Sequence, residues 1–294
     1  MSYILPEVIL FGSVFSLYAV SQTLRHNASG IPDFSITYYT GLGALAATTT
    51  TQVLGLNVYL SIPAAFALGC LLGAVYYHTV MRRMEKRGDS AVLRTLSTIG
   101  LSLLLGATAE IVYYLKPFGV WELMAYDFTV GELNGALIVS AALAALVTAS
   151  LSIYLRRTTL GLTTRASEEN PELAMVCGLD PWKIKLVSWT LSGGLAAVTG
   201  VLLPLFMCYV PSFDVTSLTT VFASSILGGF RSIPRVVLAC FIVMAIQFYG
   251  IYFLQLLYGN QLGEWSQLIP IMVIVLSLLT YPRLLKDSPF QFTQ

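Results

Sequence analysis

Charge is what this sequence has least of. Only 11% of its 294 residues are Asp, Glu, Lys or Arg, while 56% are hydrophobic. A soluble domain carries about 25% charged residues because its surface faces water, so a water-soluble globule is excluded. The formal net charge of +1 leaves no general basic surface, which excludes nucleic acid as a partner. Cysteine is scarce too. Cys70, Cys177, Cys208 and Cys240 form neither a C-x-x-C pair nor a Cys/His cluster, so no metal site or disulfide framework is indicated, and they read as inert small apolar residues. The two histidines, His26 and His78, have no sequence neighbour that suggests catalysis. The chain has no G-x-x-x-x-G-K-[ST], so it cannot cradle nucleotide phosphates in a P-loop, and no H-E-x-x-H or G-x-S-x-G that would mark an intramembrane hydrolase. It is not expected to be an enzyme, and no cofactor is implied. The first residues hold Glu7 and no base, the wrong charge for a signal peptide, so the first apolar run is expected to be an uncleaved span.

What is present is a series of apolar runs at about 5–24, 31–54, 57–80, 95–115, 135–155, 184–204, 217–230, 236–257 and 267–281. A helix needs about 20 apolar residues to cross a bilayer core, and lipid leaves only helices and closed barrels as spanning structures. The runs are continuous rather than alternating, which selects helices. The run at 217–230 is short and reads either as a full span or as a half-helix. The fold class is therefore an all-α polytopic membrane protein with eight or nine transmembrane helices, forming one domain over 1–294. Arg82, Arg83, Lys86, Arg87 and Arg94 follow the third run. Arg156, Arg157, Arg165, Lys183 and Lys185 follow the fifth, and Arg283 and Lys286 lie in the tail. The opposite loops carry Glu122, Asp127, Glu132 and Glu264, with Lys116 as their basic residue. The positive-inside bias then sets the N-terminus outside and the C-terminus in the cytoplasm.

The longest polar stretch, about 156–185, has internal structure of its own. Ser167-Glu168-Glu169-Asn170-Pro171-Glu172 carries helix-start chemistry: a capping residue, early acids and a proline. Leu173, Ala174, Val176 and Cys177 give an apolar stripe, Gly178 stands where a left-handed C-terminal cap belongs, and Asp180-Pro181 stops the helix. A short amphipathic helix in cytoplasmic water results. It either lies on lipid headgroups or docks in a groove of a soluble partner.

The spacing Glu172-x-Ala174-x-x-x-Gly178 resembles the E-A-A-x-x-x-G loop of bacterial ABC import permeases. The flanks extend the likeness to the branched-chain amino-acid, or Liv-type, permeases. Gly161-Leu162-Thr163-Thr164-Arg165-Ala166 is similar to a "GxxxRA" element and Gly193-Gly194-Leu195-Ala196-Ala197-Val198-Thr199-Gly200 to a small-residue span. Ile226-Leu227-Gly228-Gly229-Phe230-Arg231-Ser232-Ile233-Pro234 is similar to "LGGxGSIPG", Leu96-Ser97-Thr98-Ile99-Gly100-Leu101-Ser102-Leu103-Leu104 to "ATIGLSLIL", and Tyr281-Pro282-Arg283-Leu284-Leu285 to a "RPxGL" close. Gly30-Ile31-Pro32-Asp33-Phe34-Ser35 stands where the family shows "GxxNFAHG". In order, these matches cover about residues 12–285. Asp33 and Ser35 depart from that element, no His follows, and Arg231 and Arg235 replace two glycines.

The resemblance implies a permease subunit in the inner or plasma membrane of a prokaryote. It would translocate a small solute, branched-chain or related amino acids first, delivered by an extracytoplasmic binding protein. Cytoplasmic ATPase subunits would supply the energy, and a second homologous permease subunit would complete the pore. Glu168, Glu169, Glu172, Ala174 and Gly178 would then form the ATPase-coupling helix. Urea, amides or sugar remain as other substrates of the same machine, and an ion-coupled secondary transporter remains as the rival class. Intramembrane polar residues mark candidate paths, and Asp33, Ser35 and Thr37 are the candidate translocation-path residues. Asp33 otherwise reads as a headgroup-level residue capping the second span. Gly69 and Gly73, four apart, read as helix-packing positions, and Tyr76, Tyr77, Tyr113, Tyr114 and Trp121 as interfacial aromatic belts.

Overall fold

The computed structural model describes residues 4–115, 123–131, 133–157, 180–210, 213–230, 232–259 and 266–280. The described chain is almost wholly helical, and six of its helices are long and apolar enough to cross a membrane: Ile4–Ser29, Val58–Arg87, Ala91–Tyr114, Gly135–Leu155, Pro181–Leu205 and Ile233–Leu257. We label the helices α1 (Ile4–Ser29), α2 (Tyr39–Thr48), α3 (Ser61–Tyr76), α4 (Arg82–Arg87), α5 (Ala91–Tyr114), α6 (Gly135–Arg157), α7 (Pro181–Leu202), α8 (Phe213–Gly228), α9 (Ile233–Tyr258) and α10 (Leu268–Thr280). A two-residue antiparallel ribbon, β1 (Thr129–Val130) with β2 (Leu133–Asn134), precedes α6. The Liv-like loop residues Glu168, Glu169, Glu172, Ala174 and Gly178 lie outside the described residues.

Local chemistry accounts for the helix ends. Asp180 accepts a hydrogen bond from the Trp182 backbone N–H at 3.1 Å and Pro181 opens α7, the favoured arrangement for a helix start. Ser90 caps α5 through the Leu93 N–H at 3.3 Å. Gly88, at φ +73°, ends α4 in the left-handed conformation that a side chain resists. Between α3 and α4 the helix passes through a π-helical turn at Tyr77–Met81 without breaking, so α3 and α4 form one continuous rod.

The second apolar run is shorter as a helix than its 31–54 extent in sequence. Residues 31–35 are irregular, a 3-10 turn at Ile36–Tyr38 leads into the ten residues of α2, and a π-helical turn at Thr49–Val53 follows. Two more apolar helices, Ser217–Gly228 and Leu268–Thr280, also fall below spanning length.

Burial sorts the helices into centre and periphery. The apolar windows of α1 and α7 are 67% and 72% buried, whereas that of α5 is 11% buried. α1 and α7 therefore form the centre, and the outer faces of α3, α5, α9 and α10 present large apolar side chains such as Leu71, Leu103, Leu256 and Leu279. In lipid, such faces cost nothing. Helix association must instead come from close packing, and α7 supplies it. A Cβ built on Gly69 or Gly193 would meet the other residue's carbonyl oxygen, one on Gly73 would meet the Trp189 carbonyl, and one on Gly43 or Gly200 would meet the carbonyl of Ala197 or Thr40. Backbone touches backbone at each crossing, so α2, α3 and α7 lock into one body. Gly69 and Gly73 thus have the packing role expected of them. Tyr76 and Tyr77 differ from expectation. They are 6% and 1% exposed, and they pack on the Trp189 ring with centroids 5.5 and 6.3 Å away rather than standing in an interfacial belt. Tyr114, at 81% exposure, does face outward.

Gly193→Val should drive a side chain into the Gly69 backbone and cost about 1–3 kcal/mol or more, lowering the melting temperature in detergent. Gly100→Ala, at a position with nothing within 4 Å of the added atom, should leave that temperature within error. Equal behaviour of the two variants would overturn the close-packing account.

Candidate functional site

A membrane domain with so few charges has little reason to bury one, yet Asp33, Ser35 and Thr37 are each fully buried. Asp33 and Ser35 sit in the irregular link after α1, where Pro32 cannot donate a backbone hydrogen bond, and Thr37 in the 3-10 turn that leads into α2. Asp33 turns back on its own link, with Oδ1 accepting from the Ser35 backbone N–H at 2.8 Å and from the Ser35 hydroxyl at 2.7 Å. Its Oδ2 forms an ion pair with Nη1 of Arg25, and both side chains are 0% exposed. The Phe34 N–H, freed by the lack of helix, donates to Thr98 Oγ1 of α5 at 3.2 Å. Asp33 is therefore an enclosed, charge-paired residue.

Arg25 is the centre of the site. Its Nε donates to Ser192 Oγ of α7 at 2.6 Å. Its guanidinium carbon lies 4.3 Å from the centroid of the Tyr39 ring and 4.6 Å from that of Trp189, so two aromatic faces flank the cation. Trp189 is itself fixed by an Nε1–H bond to Ser29 Oγ at 2.6 Å. One cation thus joins α1, the 31–35 link, α2 and α7. Thr37 and Gln22, one helical turn before Arg25, are wholly buried, and the Thr37 hydroxyl and both Gln22 amide atoms have no hydrogen-bond partner among the described residues.

Sequence reading found Asp33 and missed Arg25, because the apolar run was taken to end at residue 24 while α1 continues to Ser29. The signal was available. Gln22, Arg25 and Ser29 recur at i, i+3 and i+7 and mark one polar face of an otherwise apolar helix. His26, beside Arg25, stacks on Phe230 with centroids 4.0 Å apart, and Asn27 Nδ2 donates to the Phe230 carbonyl at 2.9 Å. The end of α1 is thereby joined to the α8–α9 turn, whose Phe230 takes the unusual φ of +52°.

Sequence comparison then assigns the chain. Residues 4–278 match the family described as "Branched-chain amino acid transport system / permease component". The chain belongs to this family of Liv-type ABC permeases. It is 30% identical over 285 residues to the probable branched-chain amino acid transport permease protein LivH of Methanocaldococcus jannaschii, covering 95% of this chain and 90% of that one. It is 25% identical to the high-affinity branched-chain amino acid transport system permease protein BraD of Pseudomonas aeruginosa, over 81% of this chain and 82% of the relative. The corresponding LivH of Escherichia coli is 22% identical, over 77% and 78%. Family membership and six spanning-length helices together make the chain a multi-pass membrane permease.

Removing one member of a buried ion pair strands the other charge and costs about 3–5 kcal/mol, whereas replacing both with uncharged groups is often near neutral. Arg25→Met and Asp33→Asn should each lower thermal stability in detergent, and the double variant should recover most of the loss. Additive losses in the double variant would show that the two charges do not act as a pair.

Proposed function

We propose that this chain is the membrane-spanning subunit of an ATP-binding cassette importer, translocating branched-chain or related amino acids delivered by an extracytoplasmic binding protein. The observation that carries the reading is the family match over 4–278, which takes in every described spanning helix and the loop between α6 and α7. The named relatives are branched-chain amino-acid permeases, and that supports the substrate class. Energy comes from separate cytoplasmic ATPase subunits, since the chain carries no P-loop of its own. A second, homologous permease subunit completes the pore. Glu168, Glu169, Glu172, Ala174 and Gly178 form the coupling helix that seats on the ATPase, and the host membrane is the inner or plasma membrane of a prokaryote.

Asp33, Ser35 and Thr37 line the translocation path in this reading, and Arg25 joins them. What supports this is their enclosure among helices together with the open hydrogen-bonding capacity of Thr37 and Gln22. Intramembrane ionisable groups commonly mark such paths. Reconstituted with its ATPase and binding-protein partners, the complex should take up leucine only with hydrolysable ATP and should keep doing so in the presence of an uncoupler. Uptake that the uncoupler abolishes and ATP does not drive would move the chain to the ion-coupled class. In the same vesicles, the charge-free Arg25→Met/Asp33→Asn protein should assemble and transport poorly. Full transport by it would make the pair a strut and place the path elsewhere.

The topology is part of the same reading: eight or nine crossings, with the N-terminus outside and the C-terminus inside. It is supported by the basic α4–α5 turn, the start of α7 and the end of α1 lying at one end of the bundle, joined by Glu85–Lys185 and Ser29–Trp189 contacts. A single cysteine at Glu122 or Asn260, in a protein otherwise free of reactive thiols, should react with an impermeant maleimide added outside intact cells. One at Gly88 should react only after permeabilisation. Outside labelling at Gly88 would reverse the orientation and remove the 156–185 loop from the cytoplasm.

A further inference from the structure

The cytoplasm-facing end of α7 in this reading holds a second charge cluster, separate from the Arg25 site. Glu85, on α4, has a side chain only 5% exposed. Its Oε1 accepts from Lys185 Nζ of α7 at 2.9 Å and from Arg94 Nη1 of α5 at 3.3 Å. Lys185 and Arg82 both stand over the Trp182 ring, 5.7 and 6.0 Å from its centroid. A cleft of about 260 Å³ lies between the Gly88–Asp89 turn and the first turn of α7, with Glu85 in its wall. One carboxylate oxygen thus joins α4 and α5, neighbours in sequence, to the distant α7.

That cluster continues along α7 into the membrane. Trp182, Lys185, Trp189 and Ser192 are spaced by three, four and three residues, which places them on one face. Trp182 and Lys185 hold α4 and α5, while Trp189 and Ser192 hold Arg25. From Pro181 to Ser192 is about 16 Å along the helix axis. The chain enters α7 at Asp180, whose carboxylate caps the helix one turn from Trp182 and Lys185.

We propose that Glu85 is a positioning residue of the transport cycle, clamping α4 and α5 to the N-terminal end of α7 so that a pull on the loop ahead of Pro181 moves these helices and the Arg25–Asp33 pair together. The inference rests on the reading of the chain as an ATPase-driven permease subunit. Its physical basis is asymmetric. With Glu85 present, two cations from different helices converge on a shared oxygen. Without it, Lys185 and Arg94 lose the carboxylate oxygen they share, and the like charges left on α5 and α7 repel. Below the clamp, glycine contacts still hold α3 to α7, so losing Glu85 frees α4 and α5 at the loop end without dismantling the bundle.

The test uses the whole complex, purified by a tag on this chain and reconstituted in liposomes, with leucine uptake and ATP hydrolysis measured on the same vesicles. Glu85→Gln should retain binding-protein-stimulated hydrolysis while leucine moved per ATP falls about fivefold or more, in the usual range of energetic coupling between sites. Lys185→Gln should lower the same ratio. The Glu85→Gln/Lys185→Gln double variant should be no worse than Glu85→Gln alone, because it removes one of the two repelling cations. A clamp that served only to hold the fold would change the amount of complex recovered and leave the ratio untouched. An unchanged ratio in either single variant, or losses that multiply in the double, overturns the inference. Lys185 is 21% exposed, and its variant carries the test should Glu85→Gln not assemble. Uptake by the unsubstituted complex that does not need ATP would bring down the functional reading and this inference together. A working complex with an unaltered ratio in the variants would bring down this inference alone.

Discussion

Contact between helix backbones along α7 is the constraint on which the other features rest. Inside a bilayer the hydrophobic effect gives helices no reason to prefer each other to lipid, so adhesion depends on dispersion at short range and on polar contacts. Gly69, Gly73 and Gly193 let α3 reach α7, and Gly43 and Gly200 let α2 reach it, each at a distance a single Cβ would forbid. Two helices are thereby fixed to a third with their registers set. The Tyr76, Tyr77 and Trp189 rings then fill the space that opens where the glycine contacts end, and it is on the Trp189 face that Arg25 lies.

The Arg25–Asp33 pair is expensive in isolation. Desolvating two ions costs several kcal/mol each even after relaxation, and their attraction offsets this only when remaining donors and acceptors find partners. Here Ser192, Ser35 and two aromatic faces supply most of those partners, while Arg25 Nη2 has no hydrogen-bond partner among the described residues. An apolar pair of similar volume would serve stability as well or better, so the charges are poorly explained by stability alone. What they add is specificity of position. A guanidinium that must satisfy α1, α2 and α7 together admits few alternative packings of the irregular 31–35 link, a segment with no helical hydrogen bonds to define its course.

Composition was enough to make the chain a helical membrane protein, and spacing was enough to read Gly69 and Gly73 as packing residues. Asp33 was also legible, because a carboxylate beside a glycine–proline break in an apolar chain is conspicuous. Its partner was not, for a physical reason: hydropathy windows end a span at the first strong charge, whereas a helix ends where its backbone hydrogen bonds do. α1 runs on past Arg25 to Ser29 because neutralisation by Asp33 lets the charge remain inside. The same blindness affected Tyr76 and Tyr77, whose hydroxyls suggested an interface while their rings are buried on Trp189. Hydropathy likewise overstated the second span. Apolar residues fill 31–54, yet Pro32 and the side-chain bonds of Asp33 hold the first part of that run out of the helix.

Scarcity of charge makes the remaining charges informative. In a soluble protein, Glu85 meeting Lys185 and Arg94 would be one surface bridge among many, worth little after solvent screening. On this chain the carboxylate is nearly enclosed, it is shared between two helices, and the helix that carries Lys185 also carries the contacts to Arg25. Both clusters therefore use the same face of the same rigid rod. A helix braced by backbone contact cannot move at one end and stay still at the other unless it bends, and the stretch of α7 where a bend is easiest, Ser192-Gly193-Gly194, is packed against α3. The rod opposite it contains a π-helical turn, at Tyr77–Met81, between the glycine-packed part of α3 and Glu85. A displacement of α7 would thus carry both clusters together, and any flexing it requires would fall on the α3–α4 side.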